Sequence, residues 1–457
     1  MTVCIETDYL IIGAGAMAMA FADEILRNDP KAELTFIERR ARPGGHWNDA
    51  YSYVKLHQPA IAYGINSLEL SEDSSDLSSL PQILAYFERA IKRFKKTGRV
   101  KFLFKSEYQG NGQVSSLMDP SLVTTFGVRR KVVDSTYMRV EVPSTHPPAY
   151  EVEDGVVLVA PNALSNLEQA YEKYVIIGAG KTGMDAILFL LDNGVDPNRI
   201  QWIISNDMWI WAREPLIPGN VGRVLLDQAQ ALIDSDNLEE AYLRLEKAGQ
   251  IFRLNNKIIP TKWRCATVSR PEYQQLLSIN DVVRQGRVQR VKTNQISFEN
   301  GHQLALSDRV LVVNCSANGL AKREPKKVFQ NGLITLQSVL MCQQVFSAGI
   351  IGKLETKQLS DFERNRVCQA IPHPESVADL PHCLVQTFEN MVEGNRKIPF
   401  WFWKARLNMI SHGSVWTYLM NAWKVNRLLH RAKVMRERLK AQESKKIVQE
   451  NQDMEAA

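Results

Sequence analysis

The chain has 457 residues, 45% of them apolar and 23% charged, with a formal net charge of +6. That length has room for about three domains of ordinary size, and the composition is the profile of a soluble globular chain. No window holds the roughly 18 consecutive apolar residues of a membrane span, and the N-terminus "MTVCIETDYL" lacks the basic and apolar regions of a secretory signal.

The surplus charge is local. Residues 421–447 hold nine Lys/Arg against two Glu, a local +7 that leaves the rest near −1, so no nucleic-acid-binding body is expected. The six cysteines (Cys4, Cys265, Cys315, Cys342, Cys368, Cys383) are scattered. None falls into Cys-x2-Cys or Cys-x4-Cys, so spacing predicts neither a dithiol redox centre nor a zinc knuckle. A reducing, cytoplasmic setting is the simplest expectation.

In chain order, "YLII", a glycine pair and an Ala/Met-rich stretch to Leu26 predict strand, tight turn and helix. "AELTFIE" (32–38) reads as a second buried strand. Residues 80–97 read as a helix closing on basic residues, as the helix dipole favours. Segments near 99–105 and 122–142 alternate as strands do. At Tyr174 the pattern restarts with "YVII", glycines, "MDAILFLLDNG" and a strand "QWIIS" (201–205). A helix is expected over 223–250, ending near Gly249, then strands at "NQISF" (294–298) and "DRVLVVNC" (308–315), with "VFSAGIIG" (345–352) after them. Beyond Glu355 the chain reads as helical and Trp-rich, with its last dozen residues disordered.

"LIIGAGAMAMAF" (10–21) spells Gly13-x-Gly15-x-x-Ala18. The first glycine permits a tight turn, the second lets backbone approach a pyrophosphate, and the small third residue lets helix pack on strand. The pyrophosphate then rests on the helix N-terminus, where free amides and the dipole favour anions. Glu38, at the end of the next strand, suits the ribose hydroxyls of a dinucleotide. Gly178-x-Gly180-x-x-Gly183 repeats the fingerprint. Its "GKT" is not a P-loop, because Val175 stands where that pattern needs glycine. The second strand of this unit ends in Ser205-Asn206 rather than an acid. A hydroxyl, an amide and the nearby Arg213 suit a 2′-phosphate, although Asp207 stands one residue beyond. A third motif, Glu38-x5-Gly44-Gly45-x-Trp47, brings two glycines to a place where backbone can pass close to a planar ring that Trp47 covers; Trp47 as core is the alternative.

These motifs in this order resemble the two-dinucleotide-binding flavoprotein monooxygenases: flavin-containing monooxygenases, Baeyer–Villiger monooxygenases and N-hydroxylases. The resemblance covers roughly residues 8–355, with the fingerprints 165 positions apart. It implies FAD on the first unit and NADPH on the second, with NADH the alternative. "DRVLVVNCSANG" (308–319) resembles a segment that ends in Ala-Thr-Gly in that family, and "VFSAGIIG" its terminal FAD-contacting strand and turn. The family's Phe-x-Gly-x3-His signature is absent upstream of the second fingerprint. Where flavin-containing monooxygenases carry an Asn near the flavin, this chain has His57 with Gln58 beside it. Both are candidates to donate to an oxygen intermediate or the flavin edge, against the alternative of packing. His46 is read as structural, His146 as a turn residue with a place facing the nicotinamide as the alternative, and Cys265 and Cys315 as small buried residues rather than nucleophiles.

The expected fold is α/β: two Rossmann-like dinucleotide-binding domains with a helical C-terminal extension. Residues 1–168 and 305–355 form the FAD domain, 169–304 an inserted NAD(P)H domain, and 356–457 the extension. The resemblance implies a monooxygenase that inserts one oxygen atom from O2 into a small organic substrate (N or S oxidation, or ketone oxidation) through a flavin C4a-(hydro)peroxide. An NAD(P)H:acceptor flavin reductase or oxidase and a non-catalytic flavoprotein scaffold remain open. No metal is expected. The tryptophans of "PFWFWKARLN" (399–408) cap a substrate pocket or pack a core. The basic helix 423–442 carries Val425, Leu428, Leu429, Ala432, Met435 and Leu439 on one stripe. That stripe either docks peripherally on an anionic membrane or partner, or packs on the body. Oligomeric state is not legible.

Overall fold

In the computed structural model the described residues are 4–73, 75–317, 319–320, 322–410 and 414–455, with backbone alone for 443 and 445–455. Cys4–Ile12 is central in an eight-stranded sheet, parallel to Leu34–Glu38 on one side and Val123–Asp134 on the other. Val100–Phe104 and Leu333–Thr335 extend the two flanks, also in parallel. Strand order therefore reverses at Cys4–Ile12, which leaves a crevice beyond its carboxyl end. Leu34–Glu38 is buried along its whole length, as a parallel strand covered on both faces must be. A five-stranded parallel sheet repeats the plan, in the order Asp281–Val283, Ile200–Ile203, Lys173–Ile177, Val310–Asn314, Leu158–Val159. Each sheet's leading strand feeds a fingerprint helix, Ala16–Asn28 in the first unit and Lys181–Asp192 in the second.

Several expectations change. Val310–Asn314, assigned by sequence to the return segment of the first unit, pairs with Lys173–Ile177 in the second sheet. The chain re-enters the first sheet only at Phe329–Gln330 and Leu333–Thr335. The single helix over 223–250 is two, Val221–Ile233 and Leu238–Lys247, because Asn237 caps the second by accepting from the Glu240 amide at 3.0 Å. "VFSAGIIG" is not a strand but the core of the helix Gln344–Glu355. A charge-free apolar run is ambiguous by periodicity, and its glycines serve helix packing: a Cβ on Gly352 would lie 2.7 Å from the Phe21 carbonyl oxygen of the first fingerprint helix.

The extension contains Asp361–Val367, Asp379–Lys397, Pro399–Lys404 and Val415–Glu455. The last of these helices continues through the residues expected to be disordered as far as Glu455, and 456–457 lie outside the described residues. Of the basic helix's apolar stripe, Val425, Ala432, Met435 and Leu439 are buried in the main core, with Leu428 and Leu429 packed against it, so the stripe is spent inside the fold. Among the described residues no helix is long and apolar enough to cross a membrane.

Candidate active-site cavity

Both fingerprints, the segment after Trp47 and the strand Lys262–Val268 line one cavity of about 2460 Å³. Ordinary small-molecule pockets measure roughly 300–1,000 Å³, so this one has room for more than one ligand.

In the first unit Gly13 turns the chain at φ +93°. The Gly44 amide donates to the Ala14 carbonyl at 3.0 Å, which pins the Gly44–Gly45 turn to the fingerprint loop. Gly15 and Gly45 then meet backbone to backbone, since a Cβ on Gly45 would lie 3.2 Å from the Gly15 Cα. Both line the cavity. Gly44 does not; its missing Cβ would strike Leu84 at 2.9 Å, so it faces the helix Leu80–Lys95. Ala18 is fully buried off the cavity wall. The helix Ala16–Asn28 begins with no side-chain cap, leaving first-turn amides for an anion. Glu38 is buried at its strand tip, accepting from the Ala14 amide at 2.8 Å and the Arg40 amide at 2.9 Å.

The second unit separates its glycines by task. A Cβ on Gly178 would lie 2.5 Å from the Cys315 carbonyl oxygen, and one on Gly183 would lie 2.2 Å from the Gly178 carbonyl oxygen. Gly180 meets nothing within 4 Å. The protein's own packing thus demands the first and third glycines, while the second, which precedes an uncapped helix start, faces open space. Ser205 and Asn206 are exposed on the cavity wall past Ile200–Ile203. Asp207 is neutralised by Arg284 at 2.9 Å. Arg213, grouped by sequence with Ser205 and Asn206, is elsewhere: it pairs with Glu272 at 2.8 Å and donates to the carbonyls of His57 and Thr267. Of the several arginines on the cavity wall, Arg287 is exposed and stands four residues past the strand Asp281–Val283, which pairs with Ile200–Ile203.

Residues 47–63 bridge the units. The Trp47 indole donates to the Tyr63 hydroxyl at 2.7 Å, which fixes it as a wall of the cavity. Tyr51 donates to Asp185 of the second fingerprint helix at 2.6 Å, and Lys181 ion-pairs with the same carboxylate. Tyr53 stacks on Phe189 of that helix at 4.1 Å. His57 and Gln58 follow, half-buried on the cavity wall. Burial, then the Lys181 ammonium, push the His57 imidazole down to about 4, so the ring is neutral at pH 7. His46, in the turn and also on the wall, is pushed down to about 4 by burial and then by Arg40. His146 is exposed at the cavity margin within 2.9 Å of the Thr145 hydroxyl.

Trp401 stacks on Phe346 at 5.8 Å and donates to Glu24, so it packs the fold and does not cap the cavity. Cys315 is a small buried residue whose thiol is pushed up by burial. Cys265 is not: it is bonded to Cys342 across 77 residues, against the expectation from spacing. Spacing finds only cysteines paired through local chain, and these two meet through tertiary structure. The Tyr51–Asp185–Lys181 contact and Arg287 were missed for the same reason; the only sequence signal was a lysine and an acid one helical turn apart.

No family model matches the chain. It is 38% identical over 430 residues to proteins called uncharacterized in Mycobacterium tuberculosis (Rv2000) and Mycobacterium bovis (Mb2023), covering 89% of this chain and 78% of theirs. Among solved structures it resembles OTEMO in complex with FAD and NADP, with 14% identity, a TM-score of 0.51, and coverage of 78% of this chain and 83% of that one. A flavin-containing monooxygenase from Stenotrophomonas maltophilia (13% identity, TM-score 0.49) covers 78% of this chain and 98% of its own. The bacillithiol disulfide reductase Bdr from Staphylococcus aureus (12%, TM-score 0.49) covers 78% and 100%. The fold is that of OTEMO.

Proposed function

The chain belongs to one family with the mycobacterial proteins Rv2000 and Mb2023, and we propose that it is an FAD- and NADPH-dependent monooxygenase. Its reaction inserts one oxygen atom into a nucleophilic nitrogen or sulfur centre, or a ketone, of a small organic substrate. The balance is NADPH + H⁺ + O2 + substrate giving NADP⁺, water and oxygenated substrate. The supporting observation is the convergence of two uncapped, glycine-lined helix starts and the His57–Gln58 pair on one cavity.

The residues fit both cofactors. Gly15 and Gly45 leave a cradle that side chains would fill, and the first-turn amides of Ala16–Asn28 receive the FAD pyrophosphate. Glu38 takes ribose hydroxyls. Gly180 and the start of Lys181–Asp192 take the nicotinamide nucleotide, and Ser205, Asn206 and Arg287 hold a 2′-phosphate, which favours NADPH over NADH. Held there, FAD would supply the hydride-accepting and O2-activating chemistry. The protein's share is placement. His57, neutral at pH 7, and Gln58 present N–H donors to oxygen that gains negative charge. Trp47, Tyr51 and Tyr53 hold the bridging segment and exclude water between the units. We place the two chain crossings between the domains at 142–150 and just after Asn314, following sheet membership.

Peripheral contact falls on the first turns of Val415–Glu455 rather than the buried stripe. Trp416, Leu419, Met420 and Trp423 are exposed and spaced 3, 1 and 3 apart on one helix face. Arg427 lies over the Trp423 ring at 5.5 Å, with Lys424 beside it. Exposed tryptophans with Lys424 and Arg427 beside Trp423 suit an anionic membrane surface, in a cytoplasmic setting.

The test of the activity is stoichiometric. The purified protein shows a flavin spectrum that NADPH bleaches, and with a substrate amine, sulfide or ketone, NADPH oxidation exceeds H2O2 release by the amount of oxygenated product. Equal NADPH oxidation and H2O2 release with every substrate class overturns the reading in favour of an oxidase.

A further inference from the structure

We propose that Cys265, Cys342 and His373 form a thiol–disulfide exchange centre that opens into the cavity and takes a small organic disulfide as substrate. All three residues are half-buried and line the cavity. Their two sulfurs and a ring nitrogen of His373 lie within 4.8 Å of one another. Cys265 sits on a bulge: Trp209 pairs with Trp263 and Trp211 with Thr267, so two extra residues are inserted into the strand Lys262–Val268. Bulges re-aim side chains and gather beside active sites. Cys342 stands just ahead of the helix Gln344–Glu355. Both cysteines adopt left-handed backbone, φ 56°, a strained conformation that only four non-glycine residues share among those described.

The surroundings supply the rest of an exchange site. Burial lowers the His373 pKa, which favours the neutral ring that can accept a thiol proton. Arg264 and Lys322 line the same wall, both paired with Glu375, at 2.9 and 3.2 Å; two cations against one carboxylate leave a net positive charge there, which favours a thiolate. Trp211, which also lines the cavity, has its buried indole N–H without a protein partner, and the side-chain amide oxygen (Oε1) of Gln343, next to Cys342, has none either. In a reducing compartment a disulfide on a cavity wall is expected to be transient and catalytic rather than a staple.

The cycle balances with NADPH as reductant, a step that rests on the cofactor reading above. Two electrons from NADPH break the Cys265–Cys342 bond; the hydride and one solvent proton give two thiols, and NADP⁺ is the oxidised product. His373 takes the proton of one thiol, and the thiolate attacks a sulfur of RSSR. The RS–SR bond breaks, a mixed disulfide forms, and the departing RS⁻ takes the proton from His373. The second cysteine then displaces the other RSH and restores the bond. The sum is NADPH + H⁺ + RSSR giving NADP⁺ + 2 RSH.

The test counts thiols. Alkylation of the denatured holoenzyme with iodoacetamide, read by mass, gives four modified cysteines before anaerobic NADPH and six after. In Cys342→Ser, reduced with a phosphine and desalted, Cys265 captures oxidised glutathione as a mixed disulfide. His373→Gln in that background slows capture at least tenfold at pH 7 but not at pH 9. Flavin bleaching by NADPH with the count held at four overturns the proposal while the cofactor reading stands. Failure to bleach defeats the cofactor reading, and the glutathione capture then decides the exchange centre: no mixed disulfide at Cys265 overturns it. So does a protein isolated with all six thiols and one bound zinc per chain.

Discussion

Gly180→Ala separates what the fold needs from what a ligand needs. Gly180 has φ −70° and ψ 178°, which any residue adopts, and its Cβ would meet nothing within 4 Å. The substitution is therefore expected to leave stability unchanged or raise it by about 0.4–1 kcal/mol, through a less flexible unfolded chain. The methyl does occupy the space through which a pyrophosphate reaches the first amides of Lys181–Asp192. Losing one hydrogen bond to a charged oxygen costs about 1.5–3 kcal/mol, a rise of roughly 10- to 150-fold in the NADP⁺ dissociation constant. Gly183→Ala is the contrast: its Cβ would lie 2.2 Å from a backbone oxygen, so it lowers the urea midpoint of the whole protein. Calorimetric titration of NADP⁺ into flavin-loaded protein, beside urea melts of both variants, reads the two effects. An unchanged NADP⁺ affinity in a fully folded Gly180→Ala protein refutes placement of the nucleotide on that helix.

Arg287→Ala should raise KM for NADPH at least tenfold and leave that for NADH within twofold. Arg213→Ala, which removes a partner from the half-buried Glu272, should instead lower the melting temperature without changing the NADPH-to-NADH ratio. For His57 the folded value of about 4 lies below the ordinary 6.5. The unfolded chain therefore binds a proton that the folded one refuses, and stability is flat above pH 6.5 and falls as pH drops toward 4. About 1.4 kcal/mol per unit, reduced for a half-buried ring, gives about 1–3 kcal/mol between pH 7.5 and 4.5; a His57→Gln urea series with no smaller pH slope than the parent refutes it. Replacing Trp416 and Trp423 together with Ser should abolish co-sedimentation with phosphatidylserine vesicles and leave NADPH oxidation intact. Persistent co-sedimentation would remove the patch from membrane docking, and a change in oligomeric state instead would assign it to a second copy of the chain.

Legibility in the sequence followed the range of the interactions. Gly13, Gly15 and Glu38 declare themselves because strand, turn and helix are local, and their register is set within one βαβ unit. Gly44 was legible as part of a motif but not in its task, which a contact with Leu84 forty residues on decides. Arg213 lay close in sequence to Ser205 and Asn206, yet the strand Met208–Ala212 carries it away to Glu272. Arg287, seventy-odd residues on, returns to that wall because Asp281–Val283 pairs with Ile200–Ile203. The pairing of Cys265 with Cys342 had no local signal, since a bulge in one strand and the start of a distant helix create it.

The helical extension, which reads in sequence as an appendage, proves to hold the candidate site. Arg406 is largely buried and donates to the carbonyls of Tyr63 at 2.8 Å and Ile65 at 3.2 Å, immediately after the segment that carries His57 and Gln58. The Leu407 amide donates to the Asn66 side chain at 3.1 Å. The Trp401 indole and the Asn66 amide both donate, each at 2.8 Å, to Glu24, which is wholly buried on the first fingerprint helix. A buried carboxylate without such donors would cost several kcal/mol. Glu24 therefore ties the extension, the 61–66 loop and the helix beneath the proposed flavin site into one hydrogen-bonded unit. The His57 carbonyl is held from the other side by Arg213. His57 and Gln58 thus lie on a segment clamped at both ends by arginines that sequence assigns to other parts of the molecule. Rigid clamping of this kind is what a hydrogen-bond donor needs if it is to meet a developing charge without reorganising.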